Sequence, residues 1–163
     1  MTNLILTGMP ACGKSTMGVV LAKTLGMSFV DTDLMIQKRE GEKLQNIIDI
    51  RGMDAFLKAE EEVLLEVDEE NAVISTGGSA VYSDKAMKHL KSIGKVVYIK
   101  LTLEEIERRL KNIKTRGIAM KPGETLGDLY DKRVPLYEKY ADLVLEADGI
   151  GIEESIEKLL EML

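Results

Sequence analysis

Gly8-Met9-Pro10-Ala11-Cys12-Gly13-Lys14-Ser15-Thr16 is the stretch that decides the fold. The apolar run Leu4-Ile5-Leu6 before it has the composition of a buried strand, and Met17 to Leu25 after it carries apolar residues at helical spacing. Gly8 and, four residues later, Gly13-Lys14-Ser15 fit the pattern GxxxxGK[ST] in the strand-to-helix setting that the pattern requires. The glycines let backbone N–H groups turn inward around a phosphate, and a helix starting near Lys14 points the positive end of its dipole at the same place. Lys14 is then expected to reach the outer phosphates and the Ser15 hydroxyl to ligate Mg²⁺. Gly8, Ala11, Cys12, Gly13 and Thr16 complete the loop expected around the nucleotide.

The rest of the composition limits what can surround this loop. A chain of 163 residues is long enough to bury a core without metal or disulfide support, and is expected to form one domain over residues 1–163. No apolar run approaches membrane-spanning length, and the chain opens directly into strand and loop without a basic-then-apolar leader, so the expected location is cytoplasmic. Cys12 is the only cysteine and His89 the only histidine, which leaves no His/Cys cluster for a metal. Cys12 is expected to serve packing, and His89 to sit on a helix surface. The net charge of −6 argues against nonspecific nucleic-acid or membrane-surface binding.

Against that acidic background, Arg108, Arg109, Lys111, Lys114, Arg116 and Lys121 form a basic window containing no acid. Gly117, Pro122 and Gly123 break its helix pattern, which suggests a loop that could serve as a lid over phosphates.

Along the chain, strands are expected at Leu4–Leu6, Ser28–Val30, Ala72–Ser75, Lys95–Leu101 and Leu143–Leu145. Helices are expected between them, including an amphipathic one, MDAFLKAEEEVLLEV, with Phe56, Val63, Leu64 and Val67 on one side and acids on the other. Thr125 to Tyr140 looks helical despite Pro135. This alternation predicts an α/β fold of three α/β/α layers around a five-stranded parallel sheet. Ligands of such sheets sit at the carboxyl ends of strands, where Gly8, Asp31 with Asp33, and Gly77-Gly78 all fall. Asp31 could equally be a helix cap, the two glycines only a turn, and Arg133 a surface residue on a polar helix.

The order of these features resembles the shikimate kinase family, small phosphate-loop kinases. GMPACGKSTMG resembles the family loop, FVDTDLMI its Asp-x-Asp segment, VISTGG its glycine motif, and Arg133-Val134-Pro135-Leu136-Tyr137 its late Arg-x-Pro-Leu-Tyr. Gly41, Ile47, Gly52, Phe56 and Glu60 also fall on family positions, and Arg109 and Arg116 keep the spacing of the adenine-stacking and lid arginines. The resemblance implies ATP and Mg²⁺ as cofactors and a small hydroxylated, carboxylated acceptor, with shikimate in the lead. It implies Lys14, Asp33 and Arg116 as catalytic residues, with Lys14 and Arg116 on the transferring phosphoryl group and Asp33 on the acceptor hydroxyl. Ser15 and Asp31 would hold Mg²⁺, Arg109 the nucleotide, and Asp33, Gly77, Gly78, Ser79 and Arg133 the acceptor. The lid would span about residues 109–124, and the acting species would be a monomer.

Four positions depart from the family pattern. Leu57 stands where the family has an arginine after Phe56, Ser79 replaces a third glycine, Gly117 replaces a proline after Arg116, and Ala11 replaces a loop glycine. The departures concentrate on the acceptor side. A related kinase with another hydroxylated acceptor, or a nucleotide-binding regulatory protein without transfer, therefore remain as alternative readings.

Overall fold

The computed structural model describes residues 2–111 and 120–163. Five strands, β1 (Asn3–Thr7), β2 (Ser28–Asp31), β3 (Ala72–Ser75), β4 (Gly94–Lys100) and β5 (Leu143–Glu146), form one sheet in the order β2-β3-β1-β4-β5. Every pairing is parallel, with Ile5 beside both Ile74 and Val96. A parallel sheet needs crossover connections, and helices supply them. These are α1 (Lys14–Leu25), α2 (Thr32–Glu40), α3 (Leu44–Arg51), α4 (Met53–Leu65), α5 (Asp84–Ile93), α6 (Leu103–Leu110), α7 (Leu126–Tyr140) and α8 (Ile152–Met162).

β1 lies at the centre of the sheet and all five of its residues are buried. That is the environment its unbroken apolar run anticipates. β2, by contrast, is an edge strand: Ser28 is exposed and Phe29, Val30 and Asp31 are half-buried. Having a neighbour on one side only, it leaves Asp31 open to the crevice at the strand ends.

Two apolar clusters support the site. The larger one surrounds the sheet and includes Leu4, Ile5, Leu6, Met17, Leu21, Val97 and Tyr137. The smaller one, Ile36, Ile47, Phe56 and Val63, binds α2, α3 and α4 together beside β2. α7 runs through Pro135, and its start is fixed by a reciprocal capping box of Thr125 and Asp128. His89 is half-buried, its Nε2 2.6 Å from the Val67 carbonyl oxygen. Among the described residues no helix is long and apolar enough to cross a membrane.

Candidate active site

The phosphate loop is shaped by backbone that few residues other than glycine adopt. Gly8 has φ 146°, and a Cβ there would lie 2.8 Å from the Ile99 carbonyl oxygen and 3.0 Å from Cys12 Sγ. Gly13, at φ 91°, precedes α1, and no side chain caps the amides of that helix. Ala11 takes φ 64°, a left-handed conformation that costs an L-residue about 1–2 kcal/mol. Cys12 is buried in the main core, consistent with a packing role.

Lys14 is 7% exposed and curls back inside this loop. Its Nζ donates to the carbonyls of Gly8 (2.8 Å) and Met9 (3.0 Å) and lies 3.5 Å from Cys12 Sγ. The ammonium therefore has two jobs, ordering the loop and presenting charge at its centre.

Ser15 and Asp31 meet across the start of the crevice. Ser15 Oγ donates to Asp31 Oδ2 at 3.3 Å, while Asp31 Oδ1 accepts from the Asp33 amide at 2.9 Å and so caps α2. The cap reading of Asp31 is realised by Oδ1, while Oδ2 faces Ser15. This cap also starts α2 at Thr32. One hydroxyl and one carboxylate suit Mg²⁺, which keeps several waters and takes its remaining oxygens from phosphates. Among the described residues no group of three His, Cys, Asp or Glu side chains could hold a metal unaided.

At the end of β3, Gly77 and Gly78 are required for space. A Cβ on Gly77 would lie 2.6 Å from Asp33 Oδ1 and 3.0 Å from Glu60 Oε2; one on Gly78 would lie 2.7 Å from Arg133 Nη1. At both glycines the space a Cβ would fill is taken by the protein's own side chains. A cavity of about 450 Å³ opens in front of them, lined by Lys14, Ser15, Asp31, Asp33, Gly77 and Gly78. The three strand ends singled out from the sequence thus converge.

Arg133 is no surface residue: at 1% exposure it is among the most deeply buried side chains of the molecule. Its Nε donates to Tyr82 Oη at 3.2 Å, and its guanidinium lies 5.3 Å from the centre of the Tyr82 ring. Tyr137, one helical turn further, donates its hydroxyl to the Gly78 carbonyl at 2.6 Å. Burial pushes the Tyr137 phenol far up, so it remains a donor. α7 is thereby fixed against the glycine turn at two successive levels.

Arg108 and Arg109 lie in the last turn of α6, the helix that leads into the basic window. Arg109 Nε donates to Glu105 Oε1 at 3.0 Å and its Nη1 to the Ala11 carbonyl at 3.4 Å, which places it beside the phosphate loop. Arg108 donates to both oxygens of Glu105, sharing Oε1 with Arg109, and the two arginines pull that carboxyl down to about 2. Arg116, with Lys114 and Gly117, lies outside the described residues, as does half of the expected lid.

The sequence reading placed the acids of α4 opposite its apolar side, and Glu60 overturns this. Glu60 is 2% exposed, faces Asp33 across Gly77, and accepts a hydrogen bond from Ser79 Oγ at 2.6 Å. Burial pushes its carboxyl up to about 7; Ser79 and then Arg133 oppose the shift, and the charge of Asp33 adds to it. The signal was present, since Glu60 stands four residues after Phe56 and three before Val63, within the apolar stripe. Tyr82 was also missed; nothing in its local sequence marks it as a partner for Arg133. Lys58 is exposed, and with Leu57, Glu60, Ser79 and Tyr82 it lines a separate cavity of about 200 Å³.

Comparison with known proteins bears on this arrangement. The sequence model of the shikimate kinase family matches residues 10–163. A shikimate kinase of Histophilus somni is 34% identical over 99% of this chain and 94% of its own length. One of Pasteurella multocida is 39% identical over 90% of this chain and 86% of its own. Among solved structures, shikimate kinase from Acinetobacter baumannii in complex with shikimate superposes with a TM-score of 0.87, at 30% identity over 99% of this chain and 92% of that one.

Proposed function

Because the chain belongs to the shikimate kinase family, we propose that it transfers the γ-phosphoryl group of ATP to a hydroxyl of shikimate, giving shikimate 3-phosphate and ADP. The observation that carries this reading is the convergence of Lys14, Asp33 and the Gly77-Gly78 turn on one cavity, with Arg133 packed on Gly78. The relative from A. baumannii, whose structure holds shikimate, supports the choice of acceptor.

In this reading the phosphate loop binds ATP through its inward N–H groups and the start of α1. Mg²⁺, when bound, neutralises charge on the phosphate oxygens; Ser15 would hold it, with Asp31 acting through water. Asp33 accepts the proton of the acceptor hydroxyl as that oxygen bonds to phosphorus and the bond to the bridging oxygen of ADP breaks. Lys14 and Arg116 stabilise the charge on the moving phosphoryl group. Arg133 presents its planar fork to the acceptor carboxylate, and Gly78 lets it stand close to the loop. Gly8, Ala11, Cys12, Gly13 and Thr16 shape the nucleotide site and Arg109 flanks it, while Gly77 and Ser79 shape the acceptor side. Residues 109–124 act as the lid of a single domain spanning 1–163, and a monomer is the working unit.

The test is ADP release measured with shikimate, quinate, homoserine, gluconate and nucleoside monophosphates as acceptors. Shikimate is expected to give the highest kcat/KM. Preference for another acceptor would keep the kinase chemistry and remove the substrate, and ATP binding without stimulation by any acceptor would favour the regulatory reading.

A further inference from the structure

Leu57 and Ser79 depart from the family pattern in different segments, yet the structure brings both to one carboxylate. Leu57 stands one helical turn before Glu60 on α4, and both line the 200 Å³ cavity with Ser79. Ser79 Oγ donates to Glu60 Oε1 at 2.6 Å, and among the described residues Glu60 Oε2 has no hydrogen-bond partner. That second oxygen lies over Gly77, where Asp33 Oδ1 also lies. A buried carboxylate is ordinarily held by a cation. No cation forms a salt bridge with Glu60 among the described residues, and the side chain one turn away on the cavity wall is an apolar leucine.

We propose that Leu57 and Ser79 form one coupled exchange centred on Glu60: the Ser79 hydroxyl fixes the carboxyl that a cation at position 57 could otherwise hold, making Ser79 and Glu60 positioning residues for the acceptor. The proposal rests on the reading of this crevice as a shikimate site. A neutral donor orients Glu60 without compensating its charge, so the group takes up a proton where a paired one would stay ionised. The rise of its carboxyl to about 7 agrees with this.

The proton then affects acceptor binding. The charged groups acting on Glu60 are Asp33 from α2 and Arg133 from α7. Lys58 and Glu61 of its own helix line the same cavity, with Tyr82 from the segment after β3, and Ser83 before α5 bonds Glu61. While Glu60 is neutral, it does not compete with the acceptor carboxylate for the charge of Arg133. Once Glu60 ionises, a second negative charge draws on the same guanidinium and repels both Asp33 and the acceptor. KM for shikimate is therefore expected to rise about three- to tenfold from about pH 6 to about pH 8, with kcat less affected.

The experiment combines the pH dependence of KM with the carboxyl ¹³C titration of Glu60, assigned by its loss in Glu60→Gln. It uses wild type, Ser79→Ala, Leu57→Arg and the double variant Leu57→Arg/Ser79→Gly, each checked for folding by its melting temperature. Ser79→Ala should move the Glu60 titration upward and raise KM; Ser79→Gly replaces it if the alanine variant does not fold. The double variant should move the titration well below neutrality and flatten the pH dependence of KM. Leu57→Arg should lower KM more in the Ser79→Gly background than in wild type. Equal effects in the two backgrounds, or a Glu60 titration unmoved by Ser79→Ala, would overturn the coupling. If shikimate is not phosphorylated at all, the substrate reading falls, and the titration still decides whether Leu57, Ser79 and Glu60 act as one unit.

Discussion

Between Gly8 and Asp31 the crevice is made of backbone bends, a helix start and a helix cap, whereas around Glu60 and Arg133 it is made of side chains from three separate segments. On the phosphate side, Lys14 finds its partners within the loop itself, at Gly8 and Met9. On the acceptor side, Ser79 reaches Glu60, Arg133 reaches Tyr82, and Tyr137 reaches Gly78. A local device fixes its residues at consecutive positions and tolerates little change. A distributed one can exchange a charge for a hydroxyl, as at Leu57 and Ser79, provided the group they share remains oriented.

The largest expected effect tests the local device. Lys14→Ala should lower kcat/KM by about a hundred- to a thousandfold, the loss typical of one preorganised charge on a transition state. Because Lys14 also bonds two loop carbonyls, a modest fall in melting temperature should accompany it; wild-type-like turnover in the folded variant would remove Lys14 from the chemistry.

A smaller effect tests the buried acid on the other side. Glu60 is neutral in the fold up to about 7 but ionises near 4.5 once unfolded, so stability is fully retained below about 4.5 and declines as pH rises toward 7. The decline is on the order of 2–3 kcal/mol and should flatten in Glu60→Gln, as read from urea midpoints across that range. An equal slope in the variant would show that other groups carry it.

Arg133→Lys sharpens the contrast further. Lysine keeps the charge and loses the planar fork with its bond to Tyr82, so KM for shikimate should rise roughly tenfold to a hundredfold while KM for ATP stays near wild type. Parallel changes in both constants would mean that Arg133 supports the whole crevice and not the acceptor half.

The smallest effect returns to the loop. Ala11→Gly relieves a left-handed alanine but adds freedom to the unfolded chain, and should stabilise the protein by about 0.5–1 kcal/mol in denaturant melts. A destabilised variant would show that the Ala11 methyl, which is buried, contributes more by packing than its backbone costs.

How much of this could be read in advance follows the same division. The sequence determined the five parallel strands, the phosphate loop and the strand-end placement of Asp31, Asp33 and the two glycines, because each depends on near neighbours. Apolar runs, helical spacing, turn glycines and caps act over a few residues, and local composition records them. It did not reveal that Arg133 is buried, that Glu60 sits within an apolar stripe as an acid, or that Tyr82 is their neighbour. Those facts arise only when α4, α7 and the glycine turn after β3 pack together: the environment of a polar side chain is set by whatever the fold brings against it, and the pattern of its own helix does not carry that information.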